Sequence, residues 1–275
     1  MSIHNNTLKL EGLKAIAKAL PDFTYGEYSI ENNDAGGQTY DISIDTNNPL
    51  EKLFDSNTTD VETISLPNVV SLKPYAFYEN KSNITSLYMP KLQKIGLSAF
   101  KFCDNLSVTS LPPNVTYIDS GAFQNCKKLA LKELPEKLTD IGSSTFSKCE
   151  SLQLTKIPDS VVNITDQAFQ DCVNMQLESL SNNLQMLSSR AFLNCKNIKI
   201  KVIPATVKYI HTLAFSGCTG ITDIVFKGKP MTVSNDIFNG CTNLTSIKVP
   251  WSEGEVANAP WGATNAVITY NYTGE

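Results

Sequence analysis

An order of apolar and polar positions repeats every 23 residues along most of this 275-residue chain. Its marker is a phenylalanine that is preceded by alanine in six of nine units. The nine phenylalanines are Phe54, Phe77, Phe100, Phe123, Phe146, Phe169, Phe192, Phe215 and Phe238. A fixed period without slippage is typical of a solenoid, in which each repeat packs only on its neighbours. Such a chain presents long regular surfaces and seldom a buried catalytic pocket.

Each unit has the same internal sequence of elements. A branched apolar residue lies five residues before the phenylalanine, as Ile118 and Ile141 do, and an apolar–proline pair such as Leu111-Pro112 comes before it. Proline ends a strand because it cannot donate to the ladder. The unit therefore predicts a short strand, a proline turn, inward-pointing apolar residues, and a short turn or helical piece that carries the phenylalanine.

The apolar spacing within the predicted strand takes two forms. The outer units show a spacing of three and then two, as in the segment 221–226, whereas five middle units show two and then three, as in the segment 129–134. Only a spacing of two places side chains on one face of a strand. The middle units either carry a bulge or begin their strand earlier, and the spacing is compatible with both.

Cysteine follows the phenylalanine by three residues in seven consecutive units. The seven are Cys103, Cys126, Cys149, Cys172, Cys195, Cys218 and Cys241. No Cys-x-x-Cys pair provides the local spacing of a zinc site, and an odd number cannot all form disulfides. Identical side chains on successive coils also point in parallel, which is poor geometry for a bond. We predict a structural ladder of buried free thiols that act as small hydrophobic groups.

Three zones follow from the extent of the repeat. Residues 1–49 form a predicted N-terminal capping region with a short helix from Leu8 to Leu20. Residues 50–250 form a predicted solenoid of about nine coils. Residues 251–275 form a predicted C-terminal cap, in which Trp261 falls one period after Phe238 and plugs the last coil, and Val267 to Tyr272 supply a closing strand.

Composition narrows the classes of partner. The formal net charge is −4, with 41% hydrophobic and 18% charged residues. A mildly acidic chain lacks the basic footprint of a nucleic-acid or anionic-membrane binder, and no run of about 18 apolar residues is present to insert into a bilayer. The first residues, MSIHNNTLKL, show no signal peptide. A leaderless protein and a removed leader are both compatible with that beginning.

No catalytic constellation can be assembled from the sequence. The chain has two histidines, His4 and His211, and no P-loop or GxGxxG motif. Neighbouring acids such as Glu133 and Glu136 fall in a predicted surface turn. We therefore expect a monomeric, non-catalytic protein that needs no metal and no cofactor.

The outward residues of the predicted strands are the candidate binding surface, here called the strand face. Its members vary from coil to coil: Ser107, Thr109, Ser110, Lys132, Glu133, Gln153, Thr155, Lys156, Gln176, Glu178, Ser179, Lys199, Lys201, Thr222, Asp223, Thr245, Ser246 and Lys248. At the usual strand spacing nine coils give a face about 40 Å long. We predict that a protein or glycan binds there around Lys132, Lys156, Glu178, Lys199 and Lys201. A merely solvated face is the alternative, and the region of Trp251 and Trp261 is the alternative location.

Written as LxxIxLPxxVxxIgxxAFxxCxx, the unit resembles the BspA-like class of leucine-rich repeats. The resemblance covers residues 54–250, and the segment Ile118 to Cys126 is close to its consensus. Thr145 and Ile237 depart from it in place of alanine, as do the first two units, which lack cysteine. The tail around Trp251 and Trp261 resembles the ends of leucine-rich proteins from gut Firmicutes and their prophages.

The resemblance implies an α/β repeat fold, a leucine-rich-repeat solenoid of short parallel strands with short helical or turn segments and a cap at each end. It also implies adhesion or recognition rather than catalysis, at a cell surface, in a secreted protein or on a phage particle. A structural spacer or assembly component, for example of a phage tail, is the alternative function.

Overall fold

The computed structural model describes residues 63–65, 70–72, 74–79 and 84–274. Within them the chain winds as a solenoid of short parallel strands, which confirms the architecture predicted from the period. The predicted N-terminal capping region 1–49, its helix from Leu8 to Leu20 and the anchor Phe54 lie outside the described residues. The boundaries of the three predicted zones stay predictions.

All regular elements of the described residues are strands of two to four residues, and every strand pair is parallel. The strands are β1 (Thr63–Ser65), β2 (Ser71–Leu72), β3 (Ser86–Tyr88), β4 (Lys94–Ile95), β5 (Tyr117–Ile118), β6 (Asp140–Ile141), β7 (Asn163–Ile164), β8 (Met186–Leu187), β9 (Val202–Ile203), β10 (Tyr209–Ile210), β11 (Asp223–Phe226), β12 (Thr232–Val233), β13 (Ser246–Lys248) and β14 (Val267–Thr269).

The strands belong to two ladders. The isoleucine ladder follows the branched apolar position and comprises β2-β4-β5 and β6-β7-β8-β10-β12. The proline-side ladder precedes the proline position and comprises β1-β3 and β9-β11-β13-β14. Partners are equivalent residues of adjacent coils, as in Ile141 with Ile164 and Val225 with Lys248. The order of strands therefore runs along the axis of the solenoid.

The prediction of one proline-side strand per unit is wrong for four of the five middle units, while the fifth carries β9. In those four, the segments between residues 106 and 180 contribute only an isolated bridge between Lys156 and Ser179 to that ladder. Each middle segment exposes two adjacent residues, such as Lys132 and Glu133, between buried Leu131 and buried Leu134. Two successive outward side chains break the alternation of a strand. Neither alternative applies to these four segments, because they form no proline-side strand that could carry a bulge or begin earlier.

The segment that carries the phenylalanine consists of tight turns, and no helix occurs among the described residues. The turn alternative is therefore right and the helical one is wrong. Around the anchors from Phe77 to Phe215, the residues two before and two after the anchor adopt positive φ, as Ser144 at 54° and Lys148 at 61° do around Phe146. This left-handed geometry turns three backbone N–H groups towards the next coil. Ser144, Phe146 and Lys148 donate to Asp166, Ala168 and Gln170 at 2.8, 2.8 and 2.7 Å.

The anchors form a continuous aromatic stack through the core. From Phe77 to Phe238 successive rings lie 5.0–5.7 Å apart with interplanar angles of 1–18°. Thr145, which departs from the alanine consensus, is also buried, and its hydroxyl donates to Gly142 O at 2.8 Å. That bond satisfies the one polar group that the substitution adds to the core.

All seven cysteines are free and buried, as predicted. Each thiol donates to the carbonyl of the phenylalanine one coil earlier, at 2.8–3.1 Å. Burial raises the pKa of the Cys126, Cys149, Cys195 and Cys218 thiols well above its ordinary value, and raises the pKa of Cys241 to about 11. Protonated, hydrogen-bonded thiols are poor nucleophiles and poor metal ligands.

The last coil is closed by a tryptophan, as predicted for Trp261. Its side chain is fully buried, and its Nε1 donates to Ala257 O at 2.9 Å. The ring packs against Phe226 at 5.6 Å and Trp251 at 6.3 Å rather than stacking on Phe238. The predicted closing strand is present as β14, which is shorter than the segment Val267 to Tyr272.

Candidate functional site

The solenoid brings the predicted binding residues onto one surface. Lys132, Glu178 and Lys201 occupy the same repeat position, with Thr155 at that position in the coil between the first two. Backbone bonds fix this register, since Lys132 N donates to Thr109 O at 3.2 Å and Glu178 N donates to Thr155 O at 2.8 Å. All of these side chains are exposed, as are those of Lys156 and Lys199, the other two predicted binding residues.

The charge of this surface is mixed rather than basic. The Lys156 ammonium lies 3.3 Å from a carboxylate oxygen of Glu136, with 58% and 68% of the two side chains exposed. An exposed pair of this kind contributes about 0–1 kcal/mol, because water screens the attraction. Glu133 and Glu178 lie on the same surface as the lysines. The arrangement therefore offers alternating hydrogen-bond donors and acceptors instead of a single-sign field.

Among the described residues, the larger regular sheet of the strand face lies towards the C-terminal end, and the pair β1-β3 forms a smaller one at the other end. In the larger sheet, β9, β11, β13 and β14 align an outward row of Val202, Val225, Lys248 and Thr269. The Lys248 ammonium lies 4.8 Å from the centre of the Tyr272 ring, a cation–π contact that orients both side chains. The spacing of three and then two in the outer units indicated this regularity, but sequence reasoning centred the site on the lysines of the middle coils.

Exposed aromatic side chains lie mostly outside the predicted site. Tyr88 on β3 is exposed on the strand face itself, where the sequence analysis named no aromatic residue. Tyr117 and Tyr209 are exposed on the isoleucine ladder, and the Tyr209 ring lies 6.4 Å from the ring of half-buried His211. These positions vary between coils just as the strand face does. Sequence reasoning missed them because it treated the isoleucine position only as part of the core.

A further aromatic group lies on the turns of the first described coils. The Tyr78 ring makes edge contacts with Tyr75 at 5.6 Å and Phe102 at 5.7 Å. Partial burial, together with the carboxylate of Glu79, raises the pKa of Tyr78 above its ordinary value. Equivalent turn positions farther along hold polar residues such as Gln124 and Asn125.

The alternative binding location, the C-terminal cap around Trp251 and Trp261, stays a prediction, but the two tryptophan rings themselves belong to the core. Trp261 is completely buried and Trp251 is 4% exposed, so neither ring reaches a partner. Both fill the end of the core because the last coil needs an apolar plug where the next repeat would otherwise pack.

The described residues contain no group of three or more His, Cys, Asp or Glu side chains placed to hold a metal ion. The two carboxylates with shifted pKa values both have local structural partners. Hydrogen bonds from Asn182 lower the pKa of Asp159, and hydrogen bonds from Lys229 and Ser252 lower that of Glu255. Neither carboxylate is paired with a second acid in the manner of a general acid–base couple. In the described part of the chain, no helix has the length and apolar character required to cross a membrane.

The repeat, the anchor stack and the thiol ladder together define a leucine-rich repeat solenoid. The sequence profile of the BspA type leucine-rich repeat region matches residues 50–153 and 139–259, with six copies. The chain belongs to this BspA-type leucine-rich repeat family. The match confirms the resemblance drawn from the repeat itself, and the fold of this family is typically non-catalytic. Comparison with curated proteins finds no significant match.

Three solved structures of leucine-rich repeat proteins match this chain. One from Bacteroides ovatus ATCC 8483 is 18% identical, with 90% of this chain and 76% of that chain covered and a TM-score of 0.55. A leucine rich cell surface protein from Faecalibacterium prausnitzii A2-165 is 19% identical over 91% and 95%, with a TM-score of 0.43. The T. pallidum leucine rich repeat protein is 24% identical over 68% and 79%, with a TM-score of 0.46. At these identities the Bacteroides structure supports the fold alone.

Proposed function

We propose that this chain is a non-catalytic recognition module that binds a protein or a glycan through its strand face. The supporting observation is a contrast between neighbouring positions of the same segments. The inward positions hold a nearly uniform buried set, Leu131, Leu154, Leu177 and Ile200, and the adjacent outward positions hold the varied set Lys132, Thr155, Glu178 and Lys201. Packing accounts for the uniform set and places no demand on the varied one. Recognition accounts for the variation.

The strand face has the size and chemistry for such a role. Seven coils at the usual strand spacing span roughly 33 Å, which accommodates a standard interface of about 800 Å² per partner. Its hydroxyl, amide, ammonium and carboxylate groups match a polar partner that presents both donors and acceptors. Lys156 lies two coils before Lys199 and Lys201, and the three lysines place positive charge on both sides of the coil that carries Glu178.

The test compares two variants, one in which these three lysines are replaced and one in which three lysines outside the strand face are replaced. The variant Lys156→Glu, Lys199→Glu, Lys201→Glu is compared with Lys94→Glu, Lys128→Glu, Lys196→Glu, whose exposed side chains lie outside the strand face. Both variants change the net charge equally. Binding of the whole chain is measured on a glycan array and on intact bacterial cells. We expect the first variant to lose binding by at least about tenfold and the second to retain it.

Stability of both variants is expected to stay within about 0.5 kcal/mol of the wild type, as for ordinary surface sites. Equal binding by the two variants would place the recognition surface away from the strand face. Absence of binding by the wild type in both assays would instead favour the spacer or assembly role, for which the solenoid needs length but no ligand.

A further inference from the structure

We propose that β14 is a pairing edge through which two copies of this chain form a dimer. β14 hydrogen-bonds to β13 on one side, and no described residue pairs with its other side. Val267 N donates to Thr245 O, and Thr269 O accepts from Val249 N, both at 2.9 Å. Alternate residues of a strand direct their backbone groups to opposite sides. The N–H and C=O of Ile268 therefore face the open side of the sheet.

This edge lacks most of the features that keep sheet edges apart. Natural edge strands are blunted by charged side chains, proline, bulges, a covering segment or a very short length, because a bare edge pairs with other strands, and of these β14 has only its short length of three residues. Residues 266–272 read AVITYNY and contain neither a charge nor a proline. Val267 is 73% exposed, the highest value among the large hydrophobic side chains of the described residues. An apolar, uncharged strand edge with unpaired backbone groups favours pairing with another β-strand.

A second copy of the chain fits this edge because the edge is complementary to itself. Antiparallel pairing about a two-fold axis at Ile268 places Val267 opposite Thr269 of the second copy, and the reverse pair forms at the other side of the axis. A β-branched residue opposite threonine is a favourable cross-strand pair. No charged group lies in β14, so no like charges meet at the axis despite the net charge of −4 on each chain. A two-fold contact of identical surfaces also closes at two copies instead of growing into a fibre.

The dimer is expected to be weak and concentration-dependent. A three-residue strand buries less surface than a standard stable interface of about 1,600 Å². The pairing joins the two sheets of β9, β11, β13 and β14 into one sheet of twice the width. It therefore makes the chain bivalent, and a bivalent surface binder gains avidity without any new contact to its target. The pairing stands independently of the proposed recognition role.

The test measures the mass of the full chain by analytical ultracentrifugation over a concentration series reaching well into the micromolar range. The wild type is expected to shift from monomer to dimer with concentration. Val267→Lys places a charge on the edge opposite Thr269 of the second copy, with the two new lysines diagonally across the axis at about 7–8 Å, and is expected to stay monomeric. The control is Val202→Lys, an exposed valine on β9 at the other edge of the same sheet, in a coil whose Lys199 N donates to Leu177 O of the preceding coil. That control is expected to dimerise like the wild type.

A crosslinking experiment tests the register. Chains carrying Val267→Cys and chains carrying Thr269→Cys are mixed under mild oxidation, with the seven native thiols protected by burial. A disulfide is expected in the mixture and in neither sample alone, because only residues 267 and 269 face each other closely enough for a bond. A monomer at every concentration, which is the state expected from the sequence, would overturn the proposal. A dimer that survives Val267→Lys would overturn it as well, since the contact would then lie on another face.

Discussion

The thiol of Cys149 donates a hydrogen bond of 3.1 Å to the backbone carbonyl of Phe123, which lies 26 residues earlier in the preceding coil. The same carbonyl also accepts the backbone N–H of Cys126 within its own coil at 3.0 Å. Each cysteine thus ties its own turn to the anchor turn before it. This bond explains why cysteine holds a fixed distance from the phenylalanine, since only a small donor at that position reaches the carbonyl without leaving the core.

Thiol accessibility tests the ladder directly. In the native protein we expect a thiol-specific reagent to modify few or none of the seven cysteines, because all are buried. In denaturant all seven should react, as counted by mass spectrometry of the intact chain. Rapid modification of most cysteines under native conditions would show that the ladder is not a permanent part of the core.

Alkaline pH is expected to destabilise the solenoid through the same thiols. Burial raises the folded pKa of Cys149 above its ordinary value of 9.0, so above that pH the unfolded thiol loses its proton while the folded one keeps it. The unfolded state then binds fewer protons, and the free energy of unfolding falls as pH rises. Stability due to this thiol is fully present below pH 9 and is lost as pH rises towards the folded pKa.

The variant Cys149→Ala isolates one thiol from the tyrosines that ionise in the same range. We expect the stability of the wild type to fall faster with pH than that of the variant, by up to about 1.4 kcal/mol per pH unit. Urea unfolding at a series of pH values above 9 measures the difference. Parallel curves for the two proteins would mean that the thiol ionises equally in both states.

Loss of an anchor ring should destabilise its own coil first and then the neighbouring coils. Phe146→Ala removes a buried ring that stacks on Phe123 and Phe169 at 5.6 and 5.4 Å, and we expect a cost of about 3–5 kcal/mol. Hydrogen exchange should rise first in those two neighbouring coils, because each coil packs only on its neighbours. Tyr117→Ala serves as the control, since this half-exposed ring should change stability by no more than about 0.5 kcal/mol. An unchanged melting temperature for Phe146→Ala would contradict the role of the anchor.

Alanine variants of two glycines at the same repeat position distinguish the cost of backbone strain from the cost of steric crowding. Gly217 and Gly240 have φ of 71° and 75°, so alanine at either costs about 1 kcal/mol. A Cβ at Gly217 would lie 2.5 Å from Oδ1 of Asn194, whereas at Gly240 the nearest atom is 3.5 Å away. The Asn194 side chain is held by its bond to Asp171 at 2.9 Å. We therefore expect Gly217→Ala to destabilise more than Gly240→Ala in urea unfolding, and equal costs would show that Asn194 moves aside freely.

The architecture could be predicted from the sequence because the buried residues that contribute most to its stability recur at a fixed period. The positions of Phe146 and Cys149 hold phenylalanine and cysteine in coil after coil. Where the repeat ends, an apolar side chain such as that of Trp261 is required to cover the core. The isoleucine ladder could not be predicted in this way. A two-residue strand such as Asn163–Ile164 has one inward side chain, so no alternation with a period of two exists to be detected.

The geometry of the turns could not be predicted from the sequence either. Positive φ normally signals glycine or asparagine, but Ser144, Lys148 and Arg190 adopt it here. Inter-coil hydrogen bonds impose this conformation on residues with no preference for it, so tertiary context overrides local propensity. The candidate surface shows the same limit. The outward residues were identified from the sequence, but the regular sheet and the open edge of β14 depend on which coils pair fully, which is a matter of register between coils.

In the turn ladder, Ser144, Phe146 and Lys148 donate to the next coil. Because the interior coils make the same bonds, the number of coils can change while the structure of each coil stays the same. Every such bond joins a donor to the residue just before its equivalent in the next coil, as Phe146 N and Ala168 O show, so these coils present the same donors and acceptors. Deleting the 23 residues 147–169 would join Phe146 to the residue that follows Phe169. Each remaining coil would keep the same kinds of donors, acceptors and stacked rings. The C-terminal boundary is not movable in this way, because Phe238 N donates to Trp261 O at 3.0 Å in the cap. Whole coils can be gained or lost from the interior, and the same ending then serves a shorter or a longer protein.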